Sequence, residues 1–463
     1  MEIIINKSKQ FQEIEGFGFF GAKDCWWVSD DPGHYYDDEW LTQTLVDLGI
    51  TMWRNEIYPT NPPDSRTCIE PQAGYWDRQQ GAVVALAKKA KELNIPLKII
   101  LSVWSPPGEW KVECKDIWSN YDTGDLSRTK PHPSTKEGGT LNPAHYTDYG
   151  NWLVKALDMY RAVGVEVYAL SLQNESMFPE PYNSCVYTQE WYCELLKNVV
   201  PIIKKSYPNV KIFGSENMLA FEAALIHKNF RFHEAIVNDP EALANLDVFA
   251  VHGYQDGIKA EAVANHKKYW TWNSERYYDT TGKPQWMTET SGFFENWETV
   301  KDTPGAMDLA IAIHSALTHG NVSAWVWWQG GERVVEDFTQ YILTQKGIPG
   351  KRYYVSKHFY RYIRPGARRV EIATKESCED LLCSAFVHDE DKTLTVVLVN
   401  AADVPYTVSL SSEGLPPQYK GFRTTENPDE NCASIGMVDA KAVTLPPQSI
   451  TTLYAGKTEA THE

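Results

Sequence analysis

Short runs of apolar, β-branched and aromatic residues recur along the first three-quarters of the chain, separated by longer amphipathic stretches. Eight runs stand out, at 16–21, 51–57, 97–104, 165–174, 210–216, 246–252, 285–289 and 322–328. They are apolar on both parities rather than alternating, the pattern of parallel strands covered on both faces. The stretches between them read as helices. Positions 77–93 place Val83, Val84, Leu86, Ala87 and Ala90 on one face. Asn142 and Pro143 supply an N-cap and a first-turn proline for a helix over 144–163. A helix over 189–207 contains Pro201, which predicts a kink or a division. Further helices fall at 305–318, stopped by Gly320, and at 351–363, ended by Pro365-Gly366.

Eight strand–helix units predict a (β/α)8 barrel with insertions. A doubly wound open sheet is the structural rival. It would carry a glycine-rich phosphate turn after its first strand, and Gly16-Phe17-Gly18-Phe19-Phe20-Gly21 is a poor match to one. Beyond about residue 368 the texture changes to short or alternating runs at 384–388, 393–400, 406–410 and 451–454. These predict an antiparallel β-sandwich. The run at 2–5 has no helix partner and is expected to pair into the same sandwich. The expected organisation is thus a barrel over 12–365 and a side β-sandwich built from both chain termini, 1–11 plus 366–463.

Composition narrows the chemistry. The 463 residues carry a formal charge of −17, which argues against nucleic acid or an anionic membrane as the main partner. No apolar run reaches the ~18 residues of a transmembrane helix. Aromatic residues make up 13%, with 17 Trp and 25 Tyr. Their flat faces and polar edges suit stacking on sugar rings, although a large core also uses many rings. Eight cysteines include the close pairs Cys185/Cys193 and Cys378/Cys383, which disulfides or free thiols would fit equally; Cys25 and Cys68 are among the others. There is no C-x-x-C pair to suggest a zinc ribbon. The start shows no secretory apolar segment, so the protein is expected to be cytoplasmic, or secreted, periplasmic or surface-bound after loss of a leader. Polysaccharide chemistry would favour the second.

In such a barrel the active site lies at the C-terminal strand ends. Those ends supply Arg54, Asn55 and Glu56, then Trp104, then Gln173, Asn174 and Glu175, and Glu216 with Asn217. The later strands add His252 and Tyr254, Glu289, and Trp327, Trp328 and Gln329. Four strand-end glutamates amid tryptophans suggest glycoside hydrolysis, which needs one carboxyl to protonate the leaving oxygen and one carboxylate to attack or to activate water. Spacing alone does not choose the pair, since Asn55-Glu56 and Asn174-Glu175 are the same dipeptide.

Several segments resemble glycoside hydrolase family 30: Glu15-Gly16-Phe17-Gly18, Trp104-Ser105-Pro106-Pro107, Ser171-Leu172-Gln173-Asn174-Glu175, Trp286-Met287-Thr288-Glu289 and Tyr362-Ile363-Arg364-Pro365-Gly366. The resemblance implies a (β/α)8 barrel with a side sandwich and a retaining hydrolase with two glutamates. It implies Glu175 as acid/base, Glu289 as nucleophile, Asn174 on the sugar 2-hydroxyl and Arg54 beside the nucleophile. The substrate class it implies is a β-linked polysaccharide or oligosaccharide of xylan, β-1,6-galactan or β-1,6-glucan type. No metal or other cofactor is needed. The continuation Phe19-Phe20-Gly21-Ala22-Lys23-Asp24 departs from the family's glycine-rich one and leaves the branch, and so the sugar, open. Retention predicts carboxyls about 5–5.5 Å apart, and a raised pKa on Glu175 while Glu289 is charged. Trp104, Trp328 and Tyr254 are candidate sugar platforms, and Trp110, Trp118 and Tyr121 in the long 106–141 loop are candidate distal subsites. His252 is expected either to hydrogen-bond the nucleophile or a sugar hydroxyl, or to be structural. The rivals are a non-catalytic carbohydrate-binding barrel, a metal-dependent barrel hydrolase using His252, and a structural protein.

Overall fold

The computed structural model describes residues 1–21, 37–59, 76–114, 130–223, 231–254, 260–332, 341–345, 347–376, 378–412 and 414–456. Cys25, Cys68, Trp118 and Tyr121 lie outside the described residues. The chain opens with β1 (Glu2–Glu13). The barrel strands follow as β2 (Gly16–Phe20), β3 (Met52–Ile57), β4 (Lys98–Val103), β5 (Val167–Ser171), β6 (Lys211–Met218), β7 (Val248–His252), β8 (Gln285–Glu289) and β9 (Val322–Trp328). They close into a barrel in the order β8-β9-β2-β3-β4-β5-β6-β7, every neighbouring pair parallel.

The two-sided apolar pattern now has its cause. One parity fills the barrel with Met52, Ile100, Ala169, Phe213, Val248, Ala250, Trp286, Ala324 and Val326. The other parity, including Trp53, Leu101, Leu170, Ile212, Phe249, Met287 and Trp325, packs into the outer layer. The main helices there are α1 (Trp76–Glu92), α2 (Tyr146–Ala162), α3 (Gln189–Ser206), α4 (Ala260–Asn273), α5 (Ala306–His319) and α6 (Lys351–Tyr360). Strands β2 and β3 approach so closely that a Cβ on Gly18 would sit 1.7 Å from the Met52 carbonyl oxygen, so only glycine fits. Pro201 does not divide α3. Leu196, Val199, Val200 and Ile203 are buried around it, and that packing holds the helix continuous despite the lost N–H.

Glu15 closes the N-terminal end of the barrel. Its Oε2 accepts from Tyr168 Oη at 2.7 Å and Lys211 Nζ at 2.8 Å. Its Oε1 accepts from Trp286 Nε1 at 3.1 Å and Ser323 Oγ at 3.2 Å. One carboxylate thus ties β5, β6, β8 and β9 at their starts and leaves the other end for chemistry.

The C-terminal strands are β10 (Arg368–Thr374), β11 (Leu381–His388), β12 (Thr393–Asn400), β13 (Tyr406–Ser411), β14 (Gln418–Thr424), β15 (Ala433–Asp439), β16 (Val443–Leu445) and β17 (Ser449–Ala455). With β1 they form one ladder, β15-β14-β17-β12-β11-β10-β1-β13-β16. β1 lies antiparallel to β10 and parallel to β13, so both chain ends build this unit. Val408 and Leu445, at one end of the ladder, share a core with Leu398, Leu453 and Tyr419 from the other half. The sheet therefore folds over itself as a sandwich.

Sequence pattern missed β10, β14, β15 and β16. β10 carries three charged residues in seven, and β15 is a largely exposed edge with Gly436 at φ 77°. The sandwich is fastened to the barrel through α6, where His358 bonds Thr452 Oγ1 at 2.7 Å and Thr424 Oγ1 at 2.8 Å. Tyr362 and Phe422 stack beside it at 4.6 Å. Cys185, Cys193, Cys378 and Cys383 are thiols, with no bridge between them. Among the described residues, no helix is long and apolar enough to cross a membrane.

Candidate active site

Strand pleating decides which strand-end side chains meet. Alternation puts Arg54 on the same face as Met52, and His252 on the face of Val248 and Ala250, all toward the barrel axis. The same alternation would send Glu289 outward with Met287, and Glu216 outward with Ile212. Register shifts reverse both. The β8–β7 ladder slips between Met287 and Glu289, and the β6–β7 ladder slips between Ser215 and Asn217. Each extra residue turns a carboxylate to the axis, as β-bulges do beside active sites. Glu216 and Glu175 also sit at positive φ, 54° and 43°, a conformation costly to a side-chain-bearing residue and concentrated at functional sites.

The turned carboxylates converge. The Arg54 guanidinium is fully buried and contacts Glu289 Oε2 through Nη1. Its Nη2 donates to Asn174 Oδ1 at 2.7 Å and Glu216 Oε1 at 2.9 Å, and its Nε to Ser102 Oγ at 3.1 Å. His252 stands on the other side. Its Nδ1 is 2.8 Å from Glu175 Oε1 and 3.8 Å from Glu289 Oε1, and its Nε2 is 3.4 Å from Glu216 Oε1. One oxygen each of Glu175 and Glu289 and a ring nitrogen of His252 lie within 4.8 Å of one another. Gln173 Nε2 bonds the Trp104 and Asn174 carbonyls at 2.7 and 2.8 Å, fixing the end of β5 against β4.

The charges follow from these contacts. Burial works against ionised His252, but the Glu289 charge and the hydrogen bonds of Glu175 and Glu216 raise it to about 9. Burial likewise opposes the Glu216 carboxylate, yet the Arg54 charge and the His252 hydrogen bond bring it down to about 2. Burial and the charge of Glu175 raise Glu289 above its usual value despite His252 and Arg54. Glu175 goes the other way. Burial would lift it, but the hydrogen bond and charge of His252, the hydrogen bond of Glu180 and the charge of Arg54 hold it below the usual glutamate value. This is opposite to the tilt expected from sequence, and the cause is the imidazolium lying against Glu175. A ring protonated on both nitrogens donates and does not ligate, and in that state the Glu175–His252–Glu289 trio works as an acid–base cluster.

His252 also makes stability depend on pH. Its folded value lies above the unfolded one near 6.5, so its contribution is full below 6.5 and is lost as pH rises through about 9. The expected result is a fall in unfolding free energy between these values, on the order of 3 kcal/mol. Denaturant titrations at stepped pH check this, and the His252→Gln variant should lack that part of the slope.

The aromatic residues divide by exposure. Trp104 is buried, with the Arg54 guanidinium carbon 4.8 Å from its ring centre and Phe20 at 5.4 Å. Trp328 stacks on Phe20 at 4.4 Å and is only partly buried. Tyr254 lies 6.2 Å from the His252 ring, and Ser291 Oγ is 3.5 Å from its hydroxyl. Trp110 is buried against His145. Sequence reading left Glu216 without a role although it saw Glu216 at a strand end. It missed Glu180, a loop residue in Phe178-Pro179-Glu180-Pro181 with no periodicity to mark it.

A closed eightfold barrel with paired carboxyls at its C-terminal mouth is an arrangement that glycosidases use. Residues 366–453 match the model of the glycosyl hydrolase family 30 beta sandwich domain. The chain is 26% identical over 405 residues to the glucuronoxylanase XynC of Bacillus subtilis strain 168, covering 87% of this chain and 78% of that one. Its structure is similar to the family 30 subfamily 8 xylanase Xyn30A of Clostridium acetobutylicum, with TM-score 0.71, 22% identity, and 98% and 99% of the two chains covered. It is similar to an endo-beta1,6-glucanase at TM-score 0.71 and 19% identity, covering 99% and 93%. The sandwich match and the similarity along most of the chain support glycoside hydrolase family 30.

Proposed function

We propose that the protein hydrolyses β-linked polysaccharide or oligosaccharide of xylan, β-1,6-galactan or β-1,6-glucan type with retention of configuration, Glu289 acting as nucleophile and Glu175 as acid/base. The observation that carries the reading is the approach of their carboxyl oxygens to within 4.8 Å. Double displacement needs carboxyls about 5–5.5 Å apart, whereas inversion needs roughly 6.5–9.5 Å to admit a water. Glu289 attacks the anomeric carbon while Glu175 protonates the departing oxygen; water activated by Glu175 then releases the sugar. Arg54 favours the ionised form of Glu289 and aims it. Asn174, its Oδ1 taken by Arg54, turns its amide N–H donors to the sugar 2-hydroxyl. Trp328 and Tyr254 flank the mouth as sugar-facing rings. The chemistry of these residues needs no cofactor. A polymer substrate places the enzyme's work outside the cytoplasm, in a secreted or surface location.

The test is a screen on glucuronoxylan, linear xylan, β-1,6-glucan and β-1,6-galactan, with proton NMR of the first-formed anomer. A β-anomer appearing before mutarotation supports the reading, and an initial α-anomer rejects it.

A further inference from the structure

The segment after β5 carries a carboxyl that the reaction above leaves unused. Glu180 is 2% exposed. Its carboxyl lies against that of Glu175. Tyr182 Oη donates to Glu180 Oε1 at 2.9 Å. The Glu180 backbone is pinned as well, its carbonyl accepting from Glu137 N at 2.8 Å and Ser184 Oγ at 3.1 Å. Two buried carboxyls in contact repel when both are charged, so one of them keeps a proton. The titratable groups facing Glu180 are chiefly Glu175, Glu289 and Tyr182. Arg54 and His252 also act on Glu175. Burial and the neighbouring Glu175 carboxylate push Glu180 up to about 11.

We infer that Glu175 and Glu180 form one proton-sharing unit, in which Glu180 is a positioning residue holding the acid's proton while the site is empty. This rests on the reading of Glu175 as the acid/base. It explains how an acid whose own proton affinity is lowered by His252 still has a proton to give. In the first step the shared proton passes through Glu175 to the glycosidic oxygen as that oxygen leaves the anomeric carbon and a Glu289 oxygen bonds to it. The pair is left doubly charged, facing His252. In the second step water adds its oxygen to the anomeric carbon and the bond to Glu289 breaks with its electron pair returning to Glu289. The proton that the water loses goes back to the pair.

The experiment has two arms. In the first, protein labelled with carbon-13 at the glutamate side-chain carboxyls is titrated by NMR. Wild type should keep a protonated-carboxyl resonance above the Glu222 titration at about 8, and Glu180→Gln should lack it. Tyr182→Phe, which removes a donor to ionised Glu180 from a half-exposed ring, should carry that resonance to still higher pH. In the second, phenyl and 2,4-dinitrophenyl β-glycosides of the sugar found in the screen are compared. Glu180→Gln should lose at least about tenfold more kcat/KM on the phenyl leaving group, which needs the proton, than on the dinitrophenyl one. Its basic limb should move about a pH unit or more toward acid. Absence of the resonance in wild type, or an equal loss on both substrates with an unmoved pH profile, overturns the inference. If Glu180→Gln does not fold, the wild-type and Tyr182→Phe titrations still decide. Full activity of Glu175→Gln on the phenyl glycoside would instead reject the acid/base reading itself, whatever the resonance shows.

Discussion

Glu289→Gln is expected to lose about four orders of magnitude or more of turnover, the scale on which removal of a covalent nucleophile acts, while its melting temperature does not fall. The two halves have one cause. Burial and the Glu175 charge make ionised Glu289 unfavourable in the folded chain, so its pKa lies above the unfolded value. A group raised in this way weakens the fold at any pH above its unfolded value. The neutral amide removes that cost and keeps an oxygen for Arg54 Nη1 to donate to. Kinetics and calorimetry on one preparation check both halves. Retention of more than about a hundredth of the wild-type rate would remove Glu289 from the nucleophile role. Glu289→Ala with added azide gives a second signature, a glycosyl azide of configuration inverted from the substrate.

Arg54→Met is expected to damage fold and reaction together. The guanidinium is fully buried and answers Glu289, Glu216 and Asn174 at once. Without it Glu289 and Glu216 are left with His252 as their nearby cation, which Glu175 also shares. Removing one partner of a buried ion pair costs about 3–5 kcal/mol because the other charge stays behind. The acidic limb of the pH profile should move up, since losing a neighbouring cation raises the Glu289 pKa further. Denaturant unfolding measures the first effect. The double variant Arg54→Met/Glu216→Gln should recover part of the stability, because it removes a charge that Arg54 had answered; no recovery would mean that lost packing, rather than charge, sets the cost.

The barrel was legible because eight apolar runs without alternation have few alternatives to buried parallel strands, and Trp53 and Met52 each find a layer to fill. The sandwich was half legible. β12, with Val396, Val397, Leu398 and Val399, is apolar enough to announce itself, whereas β15 gains its place only by pairing with β14. The position of the site at the strand ends was legible for the same reason as the barrel. Its polarity was not: the proton was expected on Glu175, and the His252 imidazolium that lowers Glu175 comes from β7, more than seventy residues along the chain.

The sequence by itself determined that strands and helices alternate, that both ends of the chain are β, and that glutamates stand where barrel strands finish. Only the tertiary structure decided which carboxylates face one another. Side-chain direction in a strand has a period of two, and parity alone would have sent Glu289 and Glu216 away from the axis. The register slips against β7 that turn them inward are properties of paired strands, which no single segment encodes. Charge is decided in the same place, because a proton's affinity depends on what lies a few ångströms away rather than on what lies next along the chain.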